Sequence, residues 1–136
     1  MRLIVCVDAD HGLSFGGRRQ SRDRVLRERI LELVGKDILW MDAYSAELFP
    51  DAAERIRVSE NCLEVAGEAD WCFAELQDLT AVADQVHTLV IYCWNRHYPS
   101  DRQLPSALLQ ACPRLFSRRE FAGSSHACIT EEVYIR

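Results

Sequence analysis

No stretch of this 136-residue chain is apolar for long enough to cross a bilayer; the longest runs, such as residues 89–94, fall far short of the roughly 20 residues a spanning helix needs. The first apolar run, residues 3–7, ends at Asp8 with no small-residue cleavage site, so it reads as a strand rather than a signal peptide, and a cytoplasmic location is the expectation. An excess of basic charge is also missing. The net charge is -5, which argues against broad non-specific nucleic-acid binding. No pair of the six cysteines has CxxC spacing, and most lie in apolar stretches, so they read as reduced structural thiols. There is no internal repeat, no low-complexity linker and no His-x-His-x-Asp-His cluster. That last absence excludes two-metal hydrolysis of the type that needs several imidazole and carboxylate ligands at close quarters.

What is present is ordinary globular composition, 49% hydrophobic and 27% charged, at a length that suits a single domain over residues 1–136. Residues 3–7 are apolar on both faces, as in a buried central strand. Gly16 and Gly17 suggest a flexible loop. Ser21 is a good N-cap, with Asp23 in the first turn, for a helix in which Leu26, Ile30, Leu33 and Val34 recur at helical spacing up to a stop at Gly35. A short strand at 37–41 follows, then a helix capped by Asp42 or Ser45 and closed by Pro50. Residues 62–66 and 71–74 read as short strands about the Gly67 turn, 79–86 as a helix and 88–94 as another buried strand. Residues 99–105 read as a loop and 106–112 as a short helix, and the alternating tail from Ser125 is an antiparallel strand. The sum is an α/β fold: a mixed, mainly parallel central sheet flanked by helices, with a C-terminal antiparallel strand.

Two resemblances add to this. The opening strand, the turn at Asp8, Gly12 and Gly16, and Asp23 at the helix start resemble the dihydrofolate reductase family. So do residues 35–41, residues 89–92 and the closing segments around Phe121, His126 and Tyr134, so that about half the chain is covered. The resemblance implies a dihydrofolate reductase-like fold in which Asp23 matches the carboxylate that holds a pterin ring. It places Ser45 where a Thr begins the helix beside the cofactor and Gly67 nearest to the glycine turn against the NADPH pyrophosphate. If the chain is an enzyme, the implication is a divergent oxidoreductase. The pattern departs from the family where the phosphates would lie: Glu68 follows Gly67, and Asp42-Ala43 replaces a Gly-Arg pair, so ordinary NADPH-dependent dihydrofolate reduction is not expected. The segments at residues 18–23, 94–99 and 123–126 are also similar to a short bacterial family sometimes labelled ribonuclease Z, a label that the missing metal cluster argues against.

Three segments carry candidate chemistry. Arg18, Arg19, Gln20 and Arg22, between a glycine loop and the start of a helix, could clamp a phosphate or carboxylate, or be a solvated basic face paired with Glu28 and Glu32. Asp23 is a ligand-gripping carboxylate or a helix-start charge. Asn95, Arg96, His97 and Tyr98 leave a buried strand, where sheets of this kind hold ligands, and His97 has the chemistry of a general acid or base. The bland alternative is a polar strand end. Ser125 and His126 are neighbours on a strand and point to opposite faces, so a turn is favoured over a nucleophile and base. The expectation is a protein binding a small pterin-like or anionic nucleotide-type ligand. RNA binding or cleavage by the basic helix at 18–29, and a non-catalytic partner-binding module, are the alternatives.

Overall fold

The computed structural model describes residues 1–136. Its centre is β1 (Arg2–Val7), flanked in parallel by β6 (Trp71–Phe73) and β7 (Thr88–Cys93). Beyond β6 lie β4 (Leu39–Met41) and β5 (Ile56–Val58), also parallel. Beyond β7 lie β10 (Ile129–Ile135) and β9 (Arg114–Phe121), both antiparallel to their neighbours. The seven-stranded order is β5-β4-β6-β1-β7-β10-β9.

Two apolar layers explain why β1 reads as an unbroken hydrophobic run. Leu3, Val5 and Val7 pack on one face with Leu89, Ile91 and Leu108, while Ile4 packs on the other with Leu26, Ile30 and Phe73. A strand buried on both faces needs no polar alternation. Helix α1 (Arg24–Val34) covers the second face through Leu26, Ile30 and Val34 and ends at Gly35, whose φ of 60° suits glycine.

Several elements differ from the sequence-based expectations. The glycine loop is a β-hairpin: β2 (Gly12–Phe15) and β3 (Arg18–Arg19) flank Gly16 and Gly17, both at positive φ, and β8 (Arg102–Gln103) joins β2 from within the 99–105 loop. The cap of α1 is Asp23, not Ser21; its carboxylate accepts from the Leu26 N–H at 3.2 Å. Asp42 caps the single turn α2 (Ala43–Ala46), and a 3₁₀ segment follows at Pro50–Arg55. Residues 62–66 are not a strand but hold the helical turn α3 (Cys62–Val65), and of the helix expected at 79–86 only a 3₁₀ turn at Ala83–Gln85 forms. There Leu79, Val82 and Val86 reach the core from irregular backbone. α4 (Ser106–Ala111) lies where expected. All six cysteines are unpaired, and no helix is long and apolar enough to cross a membrane.

Candidate functional site

The C-terminal ends of β4, β6, β1 and β7 open toward the β2–β3 hairpin and the start of α1. Strand ends of this kind are where open α/β sheets hold ligands. Three segments distant in sequence, residues 18–23, 94–98 and 123–126, meet here.

Asp23 lies at the centre of the meeting and is 1% exposed. One carboxylate oxygen accepts from the N–H groups of Leu26 and Ser124, at 3.2 and 3.0 Å; the other accepts from the Ser125 N–H at 2.7 Å and pairs with His126 Nδ1 at 3.0 Å. Burial pushes this carboxyl upward, but the hydrogen bonds from His126, Ser125, Ser124 and Leu26 outweigh it and hold the group well below the ordinary range. With both oxygens engaged, Asp23 fastens the loop before β10 to α1 and presents no free edge to a ligand. Gly123 makes the approach feasible, since a Cβ there would stand 2.9 Å from the Asp23 carboxyl carbon and from Ile129 Cδ1. His126 continues the array: its Nε2 lies 2.9 Å from Ser21 Oγ and 3.2 Å from the Tyr98 hydroxyl, and Trp94 stacks on its ring.

Arg19 anchors the other side of the crevice. Its guanidinium pairs twice with Glu75, at 2.9 and 3.0 Å, and lies 4.0 Å over the ring of Tyr44, so it is not a free anion clamp. Glu75 follows β6 and also accepts from the Ser45 hydroxyl at 2.8 Å. Ser45 is therefore held at the crevice through Glu75. Glu75 itself was not anticipated; it sits after a three-residue strand whose end the sequence marks weakly. Gln20 donates to Asp8 and to the Pro99 carbonyl, while its Oε1 is buried without a donor. Between these groups remain two slots of about 10 Å³ each, one lined by Leu13, Gln20 and Ala74, the other by Leu26, Ile30, Leu48 and Phe73; Cys6, Ser21, Glu75 and Trp94 border both.

The remaining candidates divide. Tyr98 enters the site. Asn95, at a φ of 57°, donates to the Cys128 carbonyl and Thr130 Oγ1, and Arg96 donates to the Ser125 carbonyl, so both brace the 123–128 loop. His97 stands on the exposed rim, 2.8 Å from Asp10, whose hydrogen bond and charge raise its pKa. Arg18 and Arg22 are exposed. Gly67 precedes β6 and lies at the opposite end of the sheet, with its N–H bonded to Asp70 at 2.8 Å, so it is not a phosphate turn at a strand's C-terminal end. Of the six arginines at 18–29, Arg19, Arg24 and Arg29 are ion-paired, which neutralises half of the expected basic face.

No protein-family model matches the chain, and no curated relative matches it. Among solved structures, the dihydrofolate reductase of Enterococcus faecalis complexed with NADP(H) and RAB-propyl superposes with a TM-score of 0.67 at 12% identity, covering 99% of this chain and 95% of that one. The chain therefore has the dihydrofolate reductase-like α/β fold. The ribonuclease label finds no support.

The residues do not fit NADPH. A dinucleotide rests its phosphates on free N–H groups at helix starts beyond the strands. After β4, the N–H groups of Ser45 and Ala43 are already taken by the carboxylates of Asp42 and Glu60, at 2.8 and 3.0 Å. After β6, the Glu75 carboxylate occupies the strand end.

Proposed function

We propose that the chain binds a small, flat, pterin-like or anionic ligand in the crevice between the β2–β3 hairpin, α1 and the ends of β6 and β7, without NADPH-dependent reduction. The observation behind this reading is the Arg19–Glu75 pair, whose side chains are only 17% and 8% exposed. Taking two charges out of water costs several kcal/mol per ion before their attraction repays it, so such a pair does little for stability that an apolar pair would not do. At the ligand end of the sheet it has a second use. The guanidinium suits an anionic group or the acceptor edge of a heterocycle, and the carboxylate suits its amide and amino donors. Phe73, Leu26, Leu48 and Trp94 supply apolar walls for the ring.

Slots of about 10 Å³ hold no more than a single water, so a ligand must displace the latch. On this reading the part that yields is the hairpin, whose ties to the body include Arg19–Glu75, the Gly16 N–H on Asp101, Gln20 on Asp8 and the buried Leu13. Thermal-shift titration with folate, dihydrofolate, NADP and NADPH tests the reading. A rise of several degrees with the pterin compounds that is lost in Arg19→Ala and Glu75→Gln supports it. No shift with any of the four in the parent chain removes it.

A further inference from the structure

The array at the start of α1 has a geometry that ligand binding does not require. An ionised carboxylate only accepts hydrogen bonds, so the His126 nitrogen 3.0 Å from Asp23 carries the ring proton. In the neutral ring, Nε2 then holds a lone pair, 2.9 Å from Ser21 Oγ. Asp23 is fixed by three backbone N–H groups, and Trp94 stacks on the imidazole with ring centres 4.5 Å apart, so tautomer and orientation are set before any substrate arrives. Hydroxyl, imidazole and buried carboxylate in this order are the parts of a serine nucleophile, its base and the group that orients the base. His126 and Asp23 are both buried, whereas Ser21 is partly exposed, as a nucleophile must be.

We propose that Ser21, His126 and Asp23 form a nucleophilic relay that hydrolyses short-chain carboxylic esters, independently of the ligand reading above. Ser21 Oγ bonds to the ester carbonyl carbon as its proton passes to His126 Nε2, and the carbonyl π pair becomes an oxyanion. The N–H groups of Ser21 and Arg22, which have no acceptor within the fold, and the Tyr98 hydroxyl, 3.5 Å from Ser21 Oγ, are the donors available to that oxygen. The carbon–oxygen bond to the alcohol then breaks, and the alcohol leaves with the proton from His126. Water adds to the acyl-serine with His126 as base, releasing the acid and restoring Ser21. The slot bordering Ser21, walled by Leu26, Ile30, Leu48 and Phe73, holds no more than a single water, so only the smallest acyl groups, lying on the exposed side of Ser21, can react.

The test uses the whole chain, an alkyl fluorophosphonate as probe and p-nitrophenyl acetate as substrate. The expected result is one phosphonyl adduct mapping by mass spectrometry to Ser21. It is absent in Ser21→Ala, slowed at least tenfold in His126→Gln and unchanged in Ser117→Ala on β9, with acetate release following the same order. Ser21→Ala removes one hydroxyl at a half-exposed position, and its circular dichroism should match the parent. No adduct on the folded parent chain, or an adduct and acetate release that persist in Ser21→Ala, overturns the proposal.

Discussion

Glu131 and Arg29 meet in a two-fold ion pair of 2.8 and 3.1 Å that fastens the last strand to α1, and the Tyr92 hydroxyl donates to the same carboxylate at 2.8 Å. The Glu131 side chain is 3% exposed. Removing Arg29 alone would strand a buried carboxylate, so Arg29→Met should cost about 3–5 kcal/mol in urea denaturation. Replacing both charges, as Arg29→Met with Glu131→Leu, should recover most of that loss. A double variant as unstable as the sum of the two single ones would show that the pair contributes through packing rather than charge.

Stability should fall in acid, and the sign follows from three carboxylates. For Asp23, Asp8 and Glu131, burial raises the pKa, but hydrogen bonds and, for Glu131, the Arg29 charge outweigh it and leave each below its ordinary value. A depressed folded pKa gives stability that is complete above the unfolded value, near 3.8 for the two aspartates, and is lost as pH falls through the folded value. The urea midpoint should therefore hold from neutrality to about pH 5 and decline below it. Asp23→Asn should be less stable at neutral pH by about 2 kcal/mol, since a charged acceptor is worth more than a neutral one. It should also show a shallower acid decline, and an unchanged acid slope would mean that Asp23 keeps an ordinary pKa.

Asp23 and Glu131 also show what the sequence makes legible. β1 and β7 were evident because burial on both faces leaves continuous apolar runs. β9 was not recognised along its length because it is exposed on both faces, with Leu115 and Phe116 among the most exposed hydrophobics, so no period of two marks it. Glu131 interrupts the apolar face of β10 that Ile129 and Val133 define, and its partner Arg29 lies 102 residues away. In the same way, Asp23 stands out in the sequence as a ligand-gripping carboxylate or a helix-start charge, and His126 as a turn residue. Their pairing across 103 residues comes from topology, which places the loop before β10 over the start of α1. Residues 62–66 form a helical turn rather than a strand because a short apolar run does not distinguish the two, whereas 79–86 stay mostly irregular although Leu79, Val82 and Val86 recur at helical spacing and reach the core.

The closeness of that loop can be tested at Gly123. A Cβ there would meet the carboxyl carbon of Asp23 and the side chain of Ile129, both at 2.9 Å, and both neighbours are held by buried contacts. Gly123→Ala should destabilise the chain by about 1–3 kcal/mol as an overpacked site. Amide exchange at Ser124 and Ser125 should speed up more than in β1. Gly16→Ala, where a Cβ meets nothing but φ is 60°, should cost only the backbone strain of about 1 kcal/mol.

Glu75 decides the cofactor question. Its carboxylate stands at the end of β6, and Asp42 and Glu60 hold the N–H groups of Ser45 and Ala43 at the start of α2, so NADPH phosphates would face three acids. NADPH should therefore leave the melting temperature of the parent unchanged. Charge at the strand end and loss of the α2 donors make separable contributions. Glu75→Gln removes the first and leaves Arg19 without its partner, so it should gain weak, salt-sensitive affinity for anions such as inorganic pyrophosphate without gaining NADPH binding. If Glu75→Gln alone binds NADPH, the Asp42 and Glu60 carboxylates are not the barrier. If the parent binds it, the hairpin opens far enough to carry Arg19 away from Glu75, and the crevice has kept a reductase-type cofactor site.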